Sequence, residues 1–136
     1  MPVRLEHIHT PTAADLADLE KIHNETASDG FTLNSEQLSE FLASGGWIMA
    51  GRFNDRIIGA LLAQAEGNDV VLSNAGVRAI TQRRGVMHQM IHHISRFAEQ
   101  EHKRLVIRHC PAQLAAALEH REFRSIGDEF VYNGLQ

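Results

Sequence analysis

The stretch from Val70 to Met87 constrains the fold more than any other part of the chain. It starts as an apolar strand pattern, passes through the basic turn Gln82-Arg83-Arg84, and enters a long amphipathic helix at about Gly85. The first N–H groups of a helix have no intrahelical acceptor and carry the positive end of its dipole, so they suit a phosphate. Two arginines add positive charge, and glycine lets the backbone approach a ligand closely. The sequence therefore predicts a pyrophosphate cradle at this junction.

A short apolar strand at 105–107 follows the helix predicted over 85–101. Strand, helix and strand in this order form a βαβ unit, so the two strands should be parallel, with a right-handed crossover. The helical period predicts that one face of the helix is buried. That face carries Val86, Met90, Ile94 and Phe97.

The remaining patterns surround this unit with further strands and helices. Before the βαβ unit, they predict a strand over 3–9, a helix capped by Thr10 or Thr12, and a helix capped by Asn34 with Gln37. A hairpin over 47–62, turning at Asn54-Asp55, and a turn at 66–69 then lead into the 70–78 strand and its helix. After the 105–107 strand, they predict a helix from Pro111 to about His120 and a closing hairpin over 123–132. The order β-α-α-β-β-β-α-β-α-β-β predicts an α/β fold. Its mixed sheet of six to seven strands would be flanked by about four helices.

Composition limits the class of protein. With 136 residues, 43% hydrophobic and 22% charged, we expect one domain over 1–136 with a real core. A formal charge of −4 disfavours general nucleic-acid or anionic-membrane binding. The chain has no apolar run of membrane-spanning length and no signal-peptide core at its start, and it has a single cysteine, Cys110. We therefore expect a cytoplasmic protein.

Two segments carry a family resemblance. The loop Gln82-Arg83-Arg84-Gly85-Val86-Met87, together with the element order, resembles the R/Q-x-x-G-x-G/A loop of the GNAT N-acetyltransferase superfamily. More narrowly, 51–60 combined with 77–86 resembles the PanZ family, also called the PanM aspartate decarboxylase maturation factor. The helix at 15–22 adds support. The detailed resemblance covers 12–23 and 47–88, and the region after about residue 100 is similar in outline only.

The resemblance implies a GNAT fold that binds acetyl-CoA or CoA between two splayed parallel strands. It implies that the pantetheine arm pairs with backbone near Ala75, Gly76 and Val77. It also implies that the pyrophosphate meets amides of Thr81, Gln82, Arg83, Arg84, Gly85, Val86, Met87 and His88. Members of the PanZ family are acetyl-CoA-dependent partners of the aspartate decarboxylase zymogen. They promote its self-cleavage to the pyruvoyl form and link pantothenate synthesis to the CoA level.

Two segments depart from the superfamily pattern. Met87 stands where glycine or alanine is usual, and its side chain either crowds the phosphates or points into the core. We expect weakened rather than lost binding. Leu118 takes the place of the tyrosine that often protonates the leaving thiolate, and Glu122 takes the place of a glycine. Leucine cannot donate a proton, so the catalytic residues stay unassigned.

The functional hypothesis is therefore a PanZ-like CoA sensor that regulates maturation of aspartate decarboxylase. The alternative is an N-acetyltransferase that transfers acetyl to an unidentified primary amine, with a β-bulge amide near Val77 polarising the thioester carbonyl. A third option is an interaction module that has lost its ligand because of Met87. The sequence does not fix the oligomeric state or the acyl-chain preference.

Arg52, Phe53 and Asn54 lie at the tip of the predicted hairpin. Turn chemistry explains Asn54, whereas an arginine and an aromatic ring also suit a protein interface. With the family resemblance, these three residues become candidates for contact with the decarboxylase. Trp47, at the other end of the first hairpin strand, is interpreted as a core residue.

Four kinds of reactive side chain remain. His88 and His92 have metal-ligand spacing, but they lie opposite the apolar stripe, and a solvated face is favoured over a metal site. Cys110 is interpreted as a small buried residue rather than a nucleophile, and Glu66 as an exposed turn carboxylate rather than a base. Tyr132 is interpreted as a packing residue with a polar edge.

Overall fold

The elements of the fold follow the predicted order. The computed structural model describes residues 3–26, 31, 33–78, 85–108, 123–126 and 129–133. Its elements are β1 (Arg4–Ile8), α1 (Ala13–Thr26), α2 (Ser35–Ala43), β2 (Trp47–Phe53), β3 (Arg56–Glu66), β4 (Asp69–Val77), α3 (Val86–Glu101), β5 (Arg104–Arg108), β6 (Arg124–Ile126) and β7 (Glu129–Asn133). The helix predicted over 111–120 lies outside the described residues, as do Cys110, Leu118 and Glu122.

One seven-stranded sheet organises the chain, in the order β1-β2-β3-β4-β5-β7-β6. β4 and β5 pair in parallel, as the βαβ pattern predicts, and the other described ladders are antiparallel. The mixed α/β sheet is therefore confirmed, with three helices in the described part of the chain. None of these helices is long and apolar enough to cross a membrane.

Helices pack on both faces of the sheet. Met49 and Leu61 belong to the core cluster beneath α3, whereas their neighbours Ile48 and Leu62 belong to the cluster beneath α1 and α2. Successive side chains of a strand point to opposite faces, so β2 and β3 can be apolar along most of their length. The sheet is thus buried on both sides where it carries the candidate site.

Two glycines let helices approach the sheet closely. A Cβ at Gly59 would lie 2.9 Å from Cγ1 of Val86, the first residue of α3. On the other face, a Cβ at Gly76 would lie 2.7 Å from Oγ1 of Thr26, the last residue of α1. Both distances are too short for a real Cβ. The helix ends nearest the site can therefore pack this close to the sheet only because both positions are glycine, which has no Cβ.

The predicted local signals are confirmed where the structure describes them. Thr12, rather than Thr10, caps α1: its Oγ1 accepts from the Asp15 amide at 3.1 Å, and its own amide donates to Asp15 Oδ2 at 3.2 Å. Asn34 and Gln37 form the predicted capping box of α2. Asn54 and Asp55 have φ of 51° and 65°, as the predicted tight turn requires.

One prediction about α3 is wrong in part. Phe97 is only half-buried, although Val86, Met90 and Ile94 are buried as predicted. The buried face also includes Met87, Ile91 and Ala98. Phe97 lies at the margin of this face because its ring meets the His7 ring on β1, at the edge of the sheet, with centroids 4.7 Å apart.

Candidate functional site

The start of α3 has the features of an anion site. Gly85 precedes the helix in the left-handed conformation, with φ 70° and ψ 22°, and no side chain of the described residues caps the first turn. That turn contains no acidic residue. A Cβ added at Gly85 would meet no atom of the described residues within 4 Å, so this part of the chain leaves space beside the backbone there. The leading amides of α3 are therefore available to an external acceptor.

Met87 does not point into that space. Its side chain is 8% exposed and belongs to the apolar cluster beneath α3, next to fully buried Val86. Of the two alternatives open from sequence, the structure has the core orientation. His88, one residue further on, is half-buried. The departure from glycine or alanine at position 87 therefore adds core volume, and the side chain leaves the first turn of the helix uncovered.

The end of β4 lies beside the start of α3. A Cβ at Gly59 would lie 3.3 Å from Val77 Cγ2 and 2.9 Å from Val86 Cγ1, so both valines lie against Gly59. The predicted binding residues Ala75, Gly76, Val77, Gly85, Val86, Met87 and His88 thus flank one junction. Thr81, Gln82, Arg83 and Arg84 lie outside the described residues.

β4 extends beyond its ladder with β5. The parallel register runs from Asp69↔Arg104 to Leu72↔Ile107, whereas β4 continues to Val77. Ala75, Gly76 and Val77 therefore lie past the last described rung, at the carboxyl end of the strand. Ligands of open α/β sheets bind at such ends, where neighbouring strands diverge.

A β-bulge lies within this extension. Ala60 pairs with Gly76, but Leu62 pairs with Ser73, so β4 has one residue more than β3 across the same interval. Asn74 has φ 54°, which identifies the bulge as the Asn74-Ala75 step and not a position near Val77. The Asn74 Oδ1 accepts from the Leu33 amide at 3.2 Å. Asparagine tolerates the left-handed conformation, which was the sequence signal for this bulge.

The guanidinium of Arg52 is engaged inside the protein. It donates to Asp15 with both terminal nitrogens, at 2.8 and 3.1 Å, and its Nε donates to Glu6. The side chains of Arg52 and Asp15 are 13% and 7% exposed. The Arg52 guanidinium holds the pKa of Asp15 below its ordinary value, and the same hydrogen bond raises the pKa of Arg52. Arg52 thus joins β1, α1 and the hairpin.

A second pair holds the other strand of the hairpin. Arg56 donates to Asp18 Oδ1 through Nη2 at 2.6 Å, and the Ile57 amide donates to Asp18 Oδ2 at 3.1 Å. Burial raises the pKa of Asp18, but the bonds from Arg56 and Ile57 outweigh it and hold that pKa below normal. Sequence reasoning did not single out Asp15 or Asp18. The sequence feature that could have indicated them is a pair of acids three residues apart on one helix that also carries an apolar stripe.

The remaining tip residues differ in exposure. Phe53 is half-buried and packs against the cluster beneath α3, whereas Asn54 is exposed in the turn. Of the three candidate partner-binding residues, Asn54 and the accessible part of Phe53 therefore present surface. The assignment of Arg52, Phe53 and Asn54 to a partner stays a prediction.

Comparison with known proteins identifies the family. Residues 2–120 match the family model described as "Acetyltransferase (GNAT) domain, PanZ". The chain belongs to the PanZ family of GNAT domains. A PanZ-family relative from Salmonella typhimurium, the PanD regulatory factor, is 32% identical over 94 residues, which cover 69% of this chain and 65% of the relative. The chain thus aligns with slightly less than two thirds of that relative's length.

Solved structures share the fold of this PanZ-family chain. The solution structure of the putative N-acetyl transferase YhhK from E. coli, bound to coenzyme A, has a TM-score of 0.71 at 19% identity and covers 98% of this chain and 99% of its own. A GNAT phosphinothricin acetyltransferase from Sinorhizobium meliloti, in complex with AcCoA, has a TM-score of 0.74 at 13% identity, covering 98% and 89%. These similarities confirm the GNAT fold.

Other candidate residues of the PanZ-family chain lie away from the junction. Glu66 is exposed at the β3–β4 turn, and His92 is exposed on α3, as predicted. The Tyr132 hydroxyl donates to Glu99, and its ring packs 5.3 Å from that of Phe123, so the packing interpretation is confirmed. Trp47 is 7% exposed and lies in the core. Among the described residues, no group of three His, Cys, Asp or Glu side chains could hold a metal ion.

Proposed function

We propose that this PanZ-family chain binds acetyl-CoA at the β4–α3 junction and acts as a CoA sensor that regulates maturation of aspartate decarboxylase. The observation that carries the proposal is the start of α3. Gly85 adopts φ 70°, and the first turn of α3 contains no acid. Among the described residues, no side chain caps this turn and no atom would lie within 4 Å of a Cβ at Gly85. A diphosphate is the anion that such a helix start suits.

The neighbouring backbone fits the rest of the ligand. The Ala75-Gly76-Val77 segment lies past the last β4–β5 rung, so an extended pantetheine arm would follow β4 there by backbone pairing. The thioester would then lie near the Asn74-Ala75 bulge. Thr81, Gln82, Arg83 and Arg84 complete the proposed set between strand and helix, where two arginines add charge toward the phosphates. Bound acetyl-CoA would supply the signal that reports the CoA level.

The proposed partner surface is the hairpin tip. The PanD regulatory factor of Salmonella typhimurium suggests PanD, the aspartate decarboxylase zymogen, as partner. Asn54 and the accessible part of Phe53 would contact it. Arg52 would position the tip, because its guanidinium is already bound to Asp15 and Glu6. In this proposal Arg52 does not contact the partner itself. It supports the turn that does.

The experiment combines titration with assembly. Calorimetry should detect acetyl-CoA binding to the purified chain. Mixing the chain with the decarboxylase zymogen should then give co-elution and faster self-cleavage to the pyruvoyl form when acetyl-CoA is present. Asn54→Ala should weaken co-elution while leaving acetyl-CoA binding unchanged. If acetyl-CoA changes neither the rate of self-cleavage nor the co-elution, the regulatory role is refuted.

An N-acetyltransferase is the second candidate, and the β4 bulge favours it. An amide at the Asn74-Ala75 step would polarise the thioester carbonyl, and a bound amine would attack it directly. The new C–N bond would replace the C–S bond, the amine proton would pass to water or a carboxylate, and CoA would leave as a thiolate that takes up a proton from solvent. No catalytic acid or base is assigned to this reaction. Thiol release across a panel of primary amines, well above the hydrolysis background, would favour the enzyme over the sensor.

A further inference from the structure

The last turn of α1 is bonded to the strand end that carries the candidate site. Glu25 Oε2 accepts from Nε of Arg78 at 2.7 Å, and Arg78 directly follows β4. The side chains of Arg78 and Glu25 are 24% and 32% exposed, so the pair is partly shielded from water. Thr26, the next residue of the helix, lies against Gly76 of the same strand, where a Cβ would come within 2.7 Å of its Oγ1. The carboxyl end of α1 is therefore fastened to the carboxyl end of β4.

The first turns of the same helix are bonded to the hairpin. Asp15 accepts two hydrogen bonds from the guanidinium of Arg52 on β2. Asp18 accepts from Arg56 and from the Ile57 amide on β3. Both acids are buried, at 5% and 2% exposed. The amino end of α1 is therefore fastened to the base of the hairpin tip.

The helix between these two ends is firmly seated. It has 14 residues and is about 21 Å long. Leu19 and Ile22, from its middle, are 1% and 0% exposed and belong to the core cluster beneath the helix. Close packing resists local bending, because any displacement disturbs the neighbouring side chains. A constraint on one end of α1 therefore reaches the other end.

Arg78 also contacts the hairpin through its backbone. Its amide donates to the carbonyl oxygen of Ile58 at 2.8 Å, and the preceding amide, that of Ile57, donates to Asp18. The contacts thus form a closed ring, from Arg78 to α1, from α1 to β3, and from β3 back to Arg78. Polar contacts connected in this way support one another, so the ring is stiffer than its separate bonds.

We propose that the Arg78–Glu25 pair carries the effect of acetyl-CoA from the β4–α3 junction to the hairpin tip, with α1 as the connecting element. This inference rests on the proposed function. Arg78 lies three residues before Thr81, where the proposed phosphate-binding set begins, so a ligand that fixes this set also restricts Arg78. The pair passes the restriction to α1, and the two acids at the other end of the helix pass it to the tip. Arg78 is thus a positioning residue and not a phosphate ligand.

The first test is an acetyl-CoA titration of the unaltered chain, followed by NMR, which does not depend on any variant folding. The amides of Gly76 and Val77 report the junction, and the Ile57 amide and the Arg52 Nε–H report the tip. All four signals should shift along one saturation curve. Shifts at the junction with none at the tip would overturn this inference and leave the acetyl-CoA site standing. No shift at the junction would refute the acetyl-CoA site and this inference together.

Glu25→Gln then isolates the pair. The junction signals should still respond to acetyl-CoA, but the tip shifts should fall to about half or less and the affinity should weaken about threefold, because coupling between two sites is reciprocal. Tip shifts of full size in this variant would mean that the ligand acts on the tip directly, which would overturn the inference. Asp69→Asn is the matched control: Asp69 pairs with Arg104 at 2.8 Å, at the other end of β4, so its substitution should change neither the affinity nor the tip shifts. An equal effect of Asp69→Asn would contradict the proposal.

A double-mutant cycle separates positioning from direct phosphate binding. Arg78→Gln should weaken acetyl-CoA binding about threefold, as Glu25→Gln does, and the double variant should lose nothing more, because all three remove the same pair. A direct phosphate contact would make Arg78→Gln much the worse of the two single variants. It would also let Glu25→Gln tighten binding, because the guanidinium would be released toward the phosphates. Either of these results would overturn the proposal.

Discussion

Arg52 on β2 and Asp15 on α1 form a two-armed ion pair across the edge of the sheet, with Nη1–Oδ1 at 2.8 Å and Nη2–Oδ2 at 3.1 Å. Asp15 also closes the capping box with Thr12. One carboxylate therefore fixes the start of a helix and the base of a hairpin tip. A planar guanidinium suits this role because its fork matches both carboxylate oxygens.

Asp15→Asn should lower the free energy of unfolding by about 2–3 kcal/mol. The substitution leaves the nearly buried Arg52 with Glu6 as its remaining acidic partner, and breaking a fully buried pair costs about 3–5 kcal/mol. Urea unfolding measures the change. The control is Asp55→Asn: Asp55 is 89% exposed and lies 3.6 Å from Arg4, so its removal should cost less than about 0.5 kcal/mol. Equal costs would contradict the proposed role of Asp15.

Gly85→Ala should weaken acetyl-CoA binding about tenfold and destabilise the fold by about 1–2 kcal/mol, because a Cβ is strained at φ 70°. Gly67→Ala is a matched control: Gly67 has φ 62° and equally open surroundings, but it lies in the β3–β4 turn. Both variants should lose similar stability, and calorimetry should find reduced affinity in Gly85→Ala alone. A parallel loss of affinity in both would show that strain, and not the cradle, is responsible.

Met87→Ala should destabilise the protein by about 2–5 kcal/mol without tightening acetyl-CoA binding. The side chain is nearly buried among core residues, so its removal leaves a cavity there rather than space beside the phosphates. His92→Ala, an exposed position on the same helix, should change stability by less than about 0.5 kcal/mol. A marked gain in affinity for Met87→Ala would mean that the methionine crowds the ligand after all.

Stability should fall between about pH 6.5 and pH 4 because of His7. Burial, and then the neighbouring His93 and His9, lower the pKa of His7 from 6.5 to about 4. In that window the unfolded chain binds a proton that folded His7 does not, so the loss grows as the pH drops. One pKa unit corresponds to about 1.4 kcal/mol, and partial exposure reduces the total to roughly 1–2 kcal/mol.

The measurement is urea unfolding at several pH values. His7→Gln should flatten the dependence between pH 6.5 and pH 4, whereas His102→Asn, at an exposed position after α3, should leave its slope as in the unaltered protein. His93 shares the cluster, 5.4 Å from His7 between ring centroids, and burial also lowers its pKa, so His93→Gln should flatten the dependence in part. An unchanged slope in His7→Gln would exclude His7 as its source.

Local patterns were sufficient where neighbours in sequence supply the interaction. The Asn34–Gln37 capping box and the Asn54-Asp55 turn were predictable, because capping residues and left-handed backbone angles act within a few residues. The parallel β4–β5 pair joins distant residues, but it was predictable because a strand–helix–strand order imposes a parallel crossover. Gly85 at the start of α3 belongs to the same class. The proposed phosphate cradle could be suggested from sequence because the glycine, the basic residues and the helix pattern are consecutive.

Tertiary structure decided the features that join distant segments. Which way Met87 points depends on packing of α3 against the sheet, and the bulge at Asn74 depends on how many residues β3 places opposite it. The Arg52–Asp15 pair forms only once α1 lies across the hairpin. The sequence by itself determined the elements and the strand–glycine–helix junction between β4 and α3, because those interactions are local. The supports of the hairpin tip, Glu6 and Asp15 around Arg52, come from segments far apart in the chain, and only the packed fold brings those segments together.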